Sequence, residues 1–369
     1  MEKLGVAVCG LGWWGKTIVP LIKGSSKLRV VRTVDPDPAA GAFAEKEELP
    51  FTPQFEDALK DPRVQGVVLC TPHTLHTGQI VRAAGAKKHV FCEKPLSLSR
   101  ADVLRAVEAC NRNKVALAVG HEKRFEPPVQ ELMRMAKSGE LGTLLQIEAN
   151  FVQDKFLSLP ADNWRLSGRE APAGPMTATG IHLLDLSVGL LGPAARVFAS
   201  VRQLGSQLTN GDTLGILVSF KSGANALLSA ILATPFDGRL AVYGNKGWAE
   251  VRDKAHPEAP LGWVLTKTLK GKEKQSVDYP PAKAVLANLE AFADAAAGRA
   301  PYPVPQEQMI ANVSALDDAA KMLSLTRARL DAQLAALGKS AGPPWGKDQK
   351  EAAAAALVAL KRAERGNLT

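Results

Sequence analysis

The chain has only four cysteines in 369 residues, Cys9, Cys70, Cys92 and Cys110, and no two of them make a Cys-x-x-Cys pair. Three lie inside apolar runs that read as strands. This excludes a disulfide scaffold and reads as buried free thiols in a reducing compartment. No grouping of His and Cys has zinc-ligand spacing, so no metal is expected. No apolar run approaches the roughly 20 residues that a membrane helix needs, so no membrane partner is expected. Met1 to Leu4 leads straight into the first strand-like run, without room for a signal peptide, and a cytoplasmic protein is the expectation. The formal net charge is +9. The lysines and arginines are nevertheless scattered, with no basic run and no basic patch interleaved with aromatics. A nucleic-acid partner is therefore not expected; the charge reads as a solvated basic surface, with an anionic ligand as its other use. No internal repeat and no long low-complexity tract is present.

What is present is the composition of a globular protein, 46% hydrophobic and 22% charged, with length enough for two domains. The chain is organised around Val6-Ala7-Val8-Cys9-Gly10-Leu11-Gly12-Trp13-Trp14-Gly15. A short apolar strand runs into Gly-x-Gly-x-x-Gly, and a helical segment follows. Gly10 makes the tight turn, Gly12 leaves its backbone open to a pyrophosphate, and Gly15 lets helix and strand pack closely. The free N–H groups and the dipole of the following helix favour an anion there. Asp35 ends the second strand-like run about 20 residues beyond the turn, where a carboxylate accepts from ribose hydroxyls and repels a 2′-phosphate. Pro36 and Asp37 follow it, with no adjacent Arg or Lys. NAD is thus expected in preference to NADP. Of the paired Trp13 and Trp14, one is expected to shield the pyrophosphate and the other to pack.

The first third alternates strand-like runs (Gly5–Cys9, Leu28–Val34, Val64–Cys70, His89–Cys92, Val115–Val119) with helical segments. That alternation predicts a doubly wound parallel sheet of the Rossmann kind, an α/β fold. Ligands of such sheets bind beyond the C-terminal strand ends, which singles out Gly10–Gly15, Thr71-Pro72-His73 and Glu93-Lys94-Pro95. Beyond about Gly120 the pattern changes. A helix is predicted over Pro127–Ser138, a strand over Leu144–Val152, a polar Gly/Pro-rich loop over Asp154–Pro175 and a helix over Thr179–Leu191. Extended runs then follow one another from Arg196 to Thr268 without intervening helices, which predicts a mostly antiparallel open sheet. Two closing helices are predicted over Val285–Ala297 and Glu307–Leu330. The expected domains are 1–122, a Rossmann dinucleotide-binding domain; 123–335, a substrate-binding and oligomerisation domain; and 336–369, a helical extension.

Six motifs occur in a fixed order: Gly10-x-Gly12-x-x-Gly15; Thr71-Pro72-His73 with His76; Glu93-Lys94-Pro95; Arg124-Phe125-x-Pro127; Trp164-Arg165; and Gly180-Ile181-His182-Leu183-Leu184-Asp185. In that order and spacing the chain resembles the glucose-fructose oxidoreductase / inositol dehydrogenase / MocA family, from about residue 3 to about residue 330. The resemblance implies a Rossmann domain, a C-terminal α/β domain whose open sheet often forms the oligomer interface, and a nicotinamide cofactor. It implies hydride transfer at a hydroxyl-bearing carbon of a sugar, polyol, sugar acid or cyclic diol. It places Lys94 and His182 at the reacting carbon, and the Lys94–Pro95 bond is often cis in such proteins. Thr71, Pro72, His73, His76 and Glu93 join the glycine turn, Trp13, Trp14, Asp35 and Lys94 as cofactor-side residues. Arg124, Trp164, Arg165, His182 and Asp185 fall on segments that line or brace the substrate pocket. A homodimer or homotetramer is expected, because one face of the Arg196–Ala233 strands has no helix to cover it.

The residue types suit the chemistry. Oxidation of an alcohol needs a hydride acceptor and a base for the hydroxyl proton. Histidine titrates near neutrality, and burial beside an oxidised nicotinamide depresses a lysine's pKa. One position departs from the family's pattern. Many members carry Asp four residues before the histidine, one helical turn away, and here that residue is Ala178. Thr177 or Thr179 is the nearest hydrogen-bonding substitute. The departure leaves open a catalytically silent, cofactor-binding regulator or sensor. It also suggests a pocket short of one negative charge that keeps Lys94 and Arg165, with Arg124 and Arg169 near in sequence, and hence an anionic substrate.

Overall fold

The structure, a computed structural model, describes residues 2–323 and Ala353. The expected extension over 336–369 lies, but for Ala353, outside the described residues, as does the end of the helix expected to reach Leu330.

The first sheet is parallel throughout and has strand order β3-β2-β1-β4-β5-β6. Its strands are β1 (Leu4–Cys9), β2 (Leu28–Val34), β3 (Phe51–Thr52), β4 (Gly66–Leu69), β5 (His89–Cys92) and β6 (Leu117–Val119). The helices between them are α1 (Trp13–Lys23), α2 (Gly41–Lys46), α3 (Phe55–Lys60), α4 (His76–Gly85) and α5 (Arg100–Asn113). Every residue of β1 is buried, as a strand covered by helices on both faces must be. Val6 and Val8 pack into one core with Ile18 and Ile22 of α1, while Ala7 and Cys9 face the other with Ile80 of α4 and Val103 of α5. Ser99 caps α5, its hydroxyl accepting from the Asp102 N–H at 3.1 Å. All four cysteines are free thiols.

After α6 (Pro127–Lys137) comes β7 (Leu144–Val152), then α7 (Ile181–Leu191), which is entered through one π-helical turn at Met176–Gly180. The second sheet adds β8 (Ala194–Arg202), β9 (Thr213–Phe220), β10 (Asn225–Ile231), β11 (Asp237–Gly244), β12 (Gly247–Asp253), β13 (Trp263–Leu269) and β14 (Gln275–Tyr279). Its order is β14-β13-β12-β11-β7-β10-β9-β8, and only the β7–β10 pair is parallel. Two strands were not legible in sequence. β3 has two residues, too few for a pattern, and four of the five residues of β14 are exposed, so its side chains show no burial period. The Asp154–Pro175 stretch holds only short 3₁₀ turns, Lys155–Ser158 and Trp164–Leu166.

The chain then returns to the first sheet. α8 (Ala284–Ala296) buries Leu289, Phe292 and Ala293 in the β1/α1 core, with the Phe292 ring 5.9 Å from that of Phe91. The Asn288 amide donates to the Val119 carbonyl at the end of β6 at 3.0 Å. Met309 and Val313 of α9 (Gln306–Leu323) pack into the α4/α5 core. The first sheet ends with β6 and the second begins with β7, while the core of the first sheet also draws on α8 and α9. From Asp318 the chain belongs to a second compact unit.

On the outer face of the second sheet, Phe198, Leu217 and Leu227 stand opposite one another across β8, β9 and β10 and are 62%, 41% and 45% exposed. The row continues into Glu148 of β7, beside which Arg239, Glu250 and Arg252 form ion pairs. Among the described residues, no helix is long and apolar enough to cross a membrane.

Candidate active site

Physics at the tip of β1 explains the three glycines separately. Gly10 has φ +90°, and a Cβ there would lie 2.6 Å from the Cys70 carbonyl oxygen. A Cβ on Gly15 would lie 1.8 Å from the Gly10 carbonyl oxygen, so α1 can approach β1 only without a side chain. At Gly12 an added Cβ would meet nothing within 4 Å among the described residues. The protein itself gives no reason for glycine at that position. Gly12 is the N-cap of α1, and no side chain caps it. An open backbone at the N-terminus of a helix is a cradle that a Cβ would fill and an anion fits. The Asp35 carboxylate closes the loop from the end of β2, accepting from the Leu11 N–H at 2.6 Å and the Asp37 N–H at 2.9 Å. Each oxygen keeps a further lone pair for a hydroxyl donor. These residues fit a dinucleotide.

Beyond the strand tips opens a cleft of about 950 Å³, counting the part open to solvent, in the size range of cofactor and small-molecule sites. Trp13, Trp14, Thr71, His73, Glu93, Lys94, Trp164, Arg165 and His182, all expected from sequence, line it. Trp13 is 44% exposed, and the Lys155 and Arg165 cations lie 5.5 and 5.7 Å from its ring. Trp14 turns inward against the β1/α1 core. Of the pair, Trp13 thus faces outward and Trp14 packs. The Arg165 guanidinium stacks 4.2 Å from the Trp164 ring, whose edge meets His73 at 4.8 Å.

His76 does not reach the cleft wall. It is fully buried, with Nδ1 2.8 Å from the Pro95 carbonyl oxygen and Nε2 2.9 Å from that of Thr71. It therefore braces two strand tips against each other. The Lys94–Pro95 peptide is cis. The Lys94 ammonium donates to the Ala178 carbonyl at 2.7 Å. Burial lowers the Lys94 pKa, against the pull of the Glu122 and Glu93 carboxylates. Glu93 is pushed up to about 7, by burial first and then by the charge of Glu122. Gly120 makes room for it, since a Cβ there would lie 2.5 Å from the Glu93 carboxylate.

His182 sits in the first turn of α7, its ring 6.0 Å from that of His121 and 5.9 Å from that of Phe151. Burial, then the charges of Lys94, His121 and Lys123, hold its pKa well below the ordinary value, so the ring is neutral at pH 7. Ala178 offers it no acceptor, and neither Thr takes that part. The Thr177 hydroxyl donates to the Gly174 carbonyl and the Thr179 hydroxyl to the Phe151 carbonyl.

Arg124 and Asp185 are not brought to the cleft. They are buried against one another, Arg124 Nε donating to Asp185 Oδ2 at 2.6 Å and Nη2 to Oδ1 at 2.8 Å. Arg124 also donates to the Asp185 carbonyl at 2.8 Å and to the Gln308 side chain. With every arm of the guanidinium occupied, the pair is structural, and the expectation that either contacts substrate is corrected. Arg169 is also outside, its side chain 83% exposed. The expected shortage of negative charge is overturned as well. Glu93, Glu122 and Glu258 line the cleft with Lys94 and Arg165.

Sequence reasoning missed Glu122, Gln153, His256 and Glu258 on the cleft wall. Glu122 follows the tip of β6, so the strand-end rule already applied to β1, β4 and β5 reaches it. His256, whose Nε2 lies 2.6 Å from the Gln153 side-chain oxygen, comes from the loop between β12 and β13 and carried no sequence signal.

The comparisons agree with this geometry. Residues 4–121 match the model of the oxidoreductase family with an NAD-binding Rossmann fold. Residues 129–250 match that of the GFO/IDH/MocA C-terminal domain. A myo-inositol 2-dehydrogenase of Thermotoga maritima is 31% identical over 214 residues, 55% of this chain and 61% of that one. The crystal structure of aldose-aldose oxidoreductase from Caulobacter crescentus, complexed with glycerol, superposes with a TM-score of 0.75 at 25% identity and covers 87% of this chain and 98% of that one. The structure of a putative NADPH-dependent oxidoreductase from Desulfitobacterium hafniense gives 0.79 at 24% identity, with 89% and 97% covered.

Removal of one partner of the Arg124–Asp185 pair strands a buried charge. Arg124→Ala is expected to cost about 3–5 kcal/mol of stability. Chemical denaturation should show that loss, while cofactor affinity in the folded fraction stays within a few-fold of the unsubstituted protein.

Proposed function

The chain belongs to the GFO/IDH/MocA oxidoreductase family, and from that membership we propose that it is a dehydrogenase that moves a hydride between a nicotinamide cofactor, NAD in preference to NADP, and a hydroxyl-bearing carbon of a sugar, polyol or cyclic diol. The observation that carries the reading is the meeting of Lys94 and His182 in one cleft with Trp13 and Trp14, which follow the glycine turn. Gly10–Gly15 and the N-terminus of α1 would hold the pyrophosphate, Asp35 the ribose, and Trp13 would cover them. When bound, the nicotinamide supplies the hydride acceptor. The side chains supply the rest. Lys94 is depressed toward its neutral form and takes the proton of the substrate hydroxyl, while His182 offers a neutral ring nitrogen to the same or the neighbouring hydroxyl. Trp164 and Arg165 line the same cleft. With carboxylates and cations both present, the cleft makes no demand for an anionic substrate. No observation favours the silent regulator, since both candidate proton carriers reach the cleft.

Lys94→Ala is expected to lower turnover on the best substrate of a polyol and sugar panel by about 10²-fold or more. NAD affinity, read by tryptophan fluorescence, should change little. Because neutral Lys94 is the acceptor, oxidation should rise with pH through a pKa below the ordinary lysine value of 10.5. Wild-type turnover by Lys94→Ala would overturn the assignment. NAD binding without turnover across the whole panel would favour the silent reading.

The coenzyme choice rests on Asp35, whose carboxylate accepts ribose hydroxyls and repels a 2′-phosphate. Titration should give a lower Kd for NAD than for NADP, and Asp35→Ser should narrow the gap. Tighter binding of NADP by the unsubstituted protein would refute it.

We also propose that the outer face of the second sheet pairs with a second copy of the chain. The apolar row Phe198, Leu217 and Leu227 runs into charged neighbours of both signs, a composition suited to a self-complementary contact. Light scattering at micromolar concentration should show a dimer or larger, shifted toward monomer by Phe198→Glu. A monomeric parent protein would sink the idea.

A further inference from the structure

Two observations near His182 are unexplained by the reading above. Among the described residues, the Nδ1 atom of His182 is sealed from solvent with no hydrogen-bond partner. A carboxylate oxygen of Glu122 lies 3.6 Å from that same atom. Glu122 has only 13% of its side chain exposed and lines the cleft. It is a costly residue to bury, and its pKa is raised by burial against the opposing pull of Lys94. The carboxylate takes a hydrogen bond from its own backbone N–H and feels the charge of Lys94, whereas His182 Nδ1 has no partner among the described residues.

We propose that Glu122, from the turn after β6, is the positioning residue for His182: its carboxylate accepts from Nδ1–H, fixes the ring in the Nδ1–H tautomer and leaves Nε2 as the proton acceptor toward the cleft. This rests on the reading of Lys94 and His182 as the groups that handle the substrate proton. The physical need is plain. A neutral imidazole has one N–H and one lone pair, and the group bonded to one nitrogen decides which function the other performs. Nδ1 is enclosed, so a lone pair there would be useless and unsatisfied. Donation to Glu122 satisfies it and directs the basic nitrogen outward. At 3.6 Å the contact is about half an ångström longer than a formed hydrogen bond, and contacts of this kind tighten when a ligand closes the site.

The electrostatics fit. Glu122 lies against Lys94 as well as His182, since each of Lys94 and Glu122 shifts the pKa of the other. One carboxylate therefore serves both candidate proton carriers. When Nε2 takes up a proton within the cleft, the imidazolium forms beside an anion. The other groups facing His182 are Lys94 from the turn after β5, and His121 and Lys123 from either side of Glu122, all of which disfavour that cation. Phe151 of β7 contributes an aromatic ring and no charge. Asp185, on α7 itself, faces His121 Nε2 at 3.7 Å and is held by Arg124. That leaves Glu122 as the carboxylate available to Nδ1 among the described residues.

The test uses the full chain with NAD and four variants: Glu122→Gln, Glu122→Ala, Ala178→Asp, and Glu122→Gln combined with Ala178→Asp. An Asp at position 178 stands one turn before His182, on the cleft wall, and can replace the lost carboxylate from the other side. The first readout is the ring ¹⁵N spectrum of histidine-labelled protein, with the His182 signals identified by their loss in His182→Gln. The parent should show the Nδ1–H tautomer. Glu122→Gln should lower the His182 pKa by about one unit or more, the scale of losing an adjacent opposite charge, and the combined variant should restore it. The second readout is kcat, KM and the pH profile on the best polyol of the panel. Glu122→Gln should lose on the order of 10²-fold in kcat with KM within a few-fold, and the combined variant should recover most of it. A purely structural role would give a lower melting temperature with an unchanged pH profile and no rescue.

Unchanged His182 ring signals and unchanged kcat in Glu122→Gln, in a protein where Lys94→Ala is inactive, would overturn the proposal and leave the dehydrogenase reading standing. Wild-type activity of Lys94→Ala would remove that reading, and the ring spectrum would still decide whether Glu122 holds His182. Should Glu122→Ala fail to fold, the isosteric Gln variant carries the test.

Discussion

A single hydrogen bond, from the Lys94 ammonium to the Ala178 carbonyl at 2.7 Å, ties the tip of the fifth strand to the turn that opens α7. The two segments are 84 residues apart in the chain. The first carries Glu93 and the cis proline, and the second leads directly into His182. For the bond to form, an ammonium has to leave open solvent for a partly buried position. Burial penalises its charge, and the neighbouring Glu93 and Glu122 carboxylates offset part of that penalty. The rest of the cleft follows from this arrangement. The acids are present because the lysine is buried, and burial then raises their own pKa values. Glu93 is thereby pushed up to about 7 and Lys94 is drawn down from its ordinary value, so that an acid and a base of the cleft come closer in proton affinity, while His182 is held well below its own.

The turn after β6 shows how closely structural and chemical duties are interleaved. Glu122 faces the cleft. Lys123 points away, into an enclosed cluster with Glu126 and Asp253 at 3.2 Å, which anchors the turn to the second sheet. The Trp263 indole completes that cluster by donating to Asp253 at 3.0 Å. Arg124 turns a third way, onto Asp185 of α7. Three consecutive side chains thus hold a strand tip, a sheet and a helix in one geometry. Within such a packed segment a carboxylate keeps its position because its neighbours are fixed.

The segment between β7 and α7 acts in a different way. It has little regular structure, yet it supplies Lys155 and Arg165, whose cations lie over the exposed Trp13 ring, and Trp164, on which Arg165 stacks. Its return is held by the Asn210 amide, which donates to the Arg165 and Ala171 carbonyls at 2.9 and 3.1 Å. A loop pinned in this way can cover a cofactor site while its backbone stays at the surface, where its polar groups are satisfied. The π-helical turn at Met176–Gly180 lies at the end of that loop and carries Ala178 and its carbonyl to Lys94, a placement common for such turns at functional sites.

By itself the sequence determined what depends on neighbours along the chain. The β1–turn–α1 unit, the alternation of the first sheet, the antiparallel run from Arg196 onward and the strand tips bearing Thr71 and Lys94 could all be read, because periodicity and glycine sterics are local properties. Trp164, Arg165 and His182 were legible through the spacing of family motifs, although that spacing says nothing about which way a side chain turns. Only the tertiary structure decided that Trp13 faces out and Trp14 in, that His76 bridges two carbonyls, and that Arg124 and Asp185 satisfy each other across 61 residues. It also decided that His182, left without an acid at position 178, has the Glu122 carboxylate 3.6 Å from its Nδ1, and that α8 completes the core of a sheet begun nearly 300 residues earlier. Charge pairing and core completion are set by distance in space. A sequence fixes which groups need partners, since a buried charge or an enclosed N–H must find one, but several candidates are chemically equivalent until the fold brings one of them within reach.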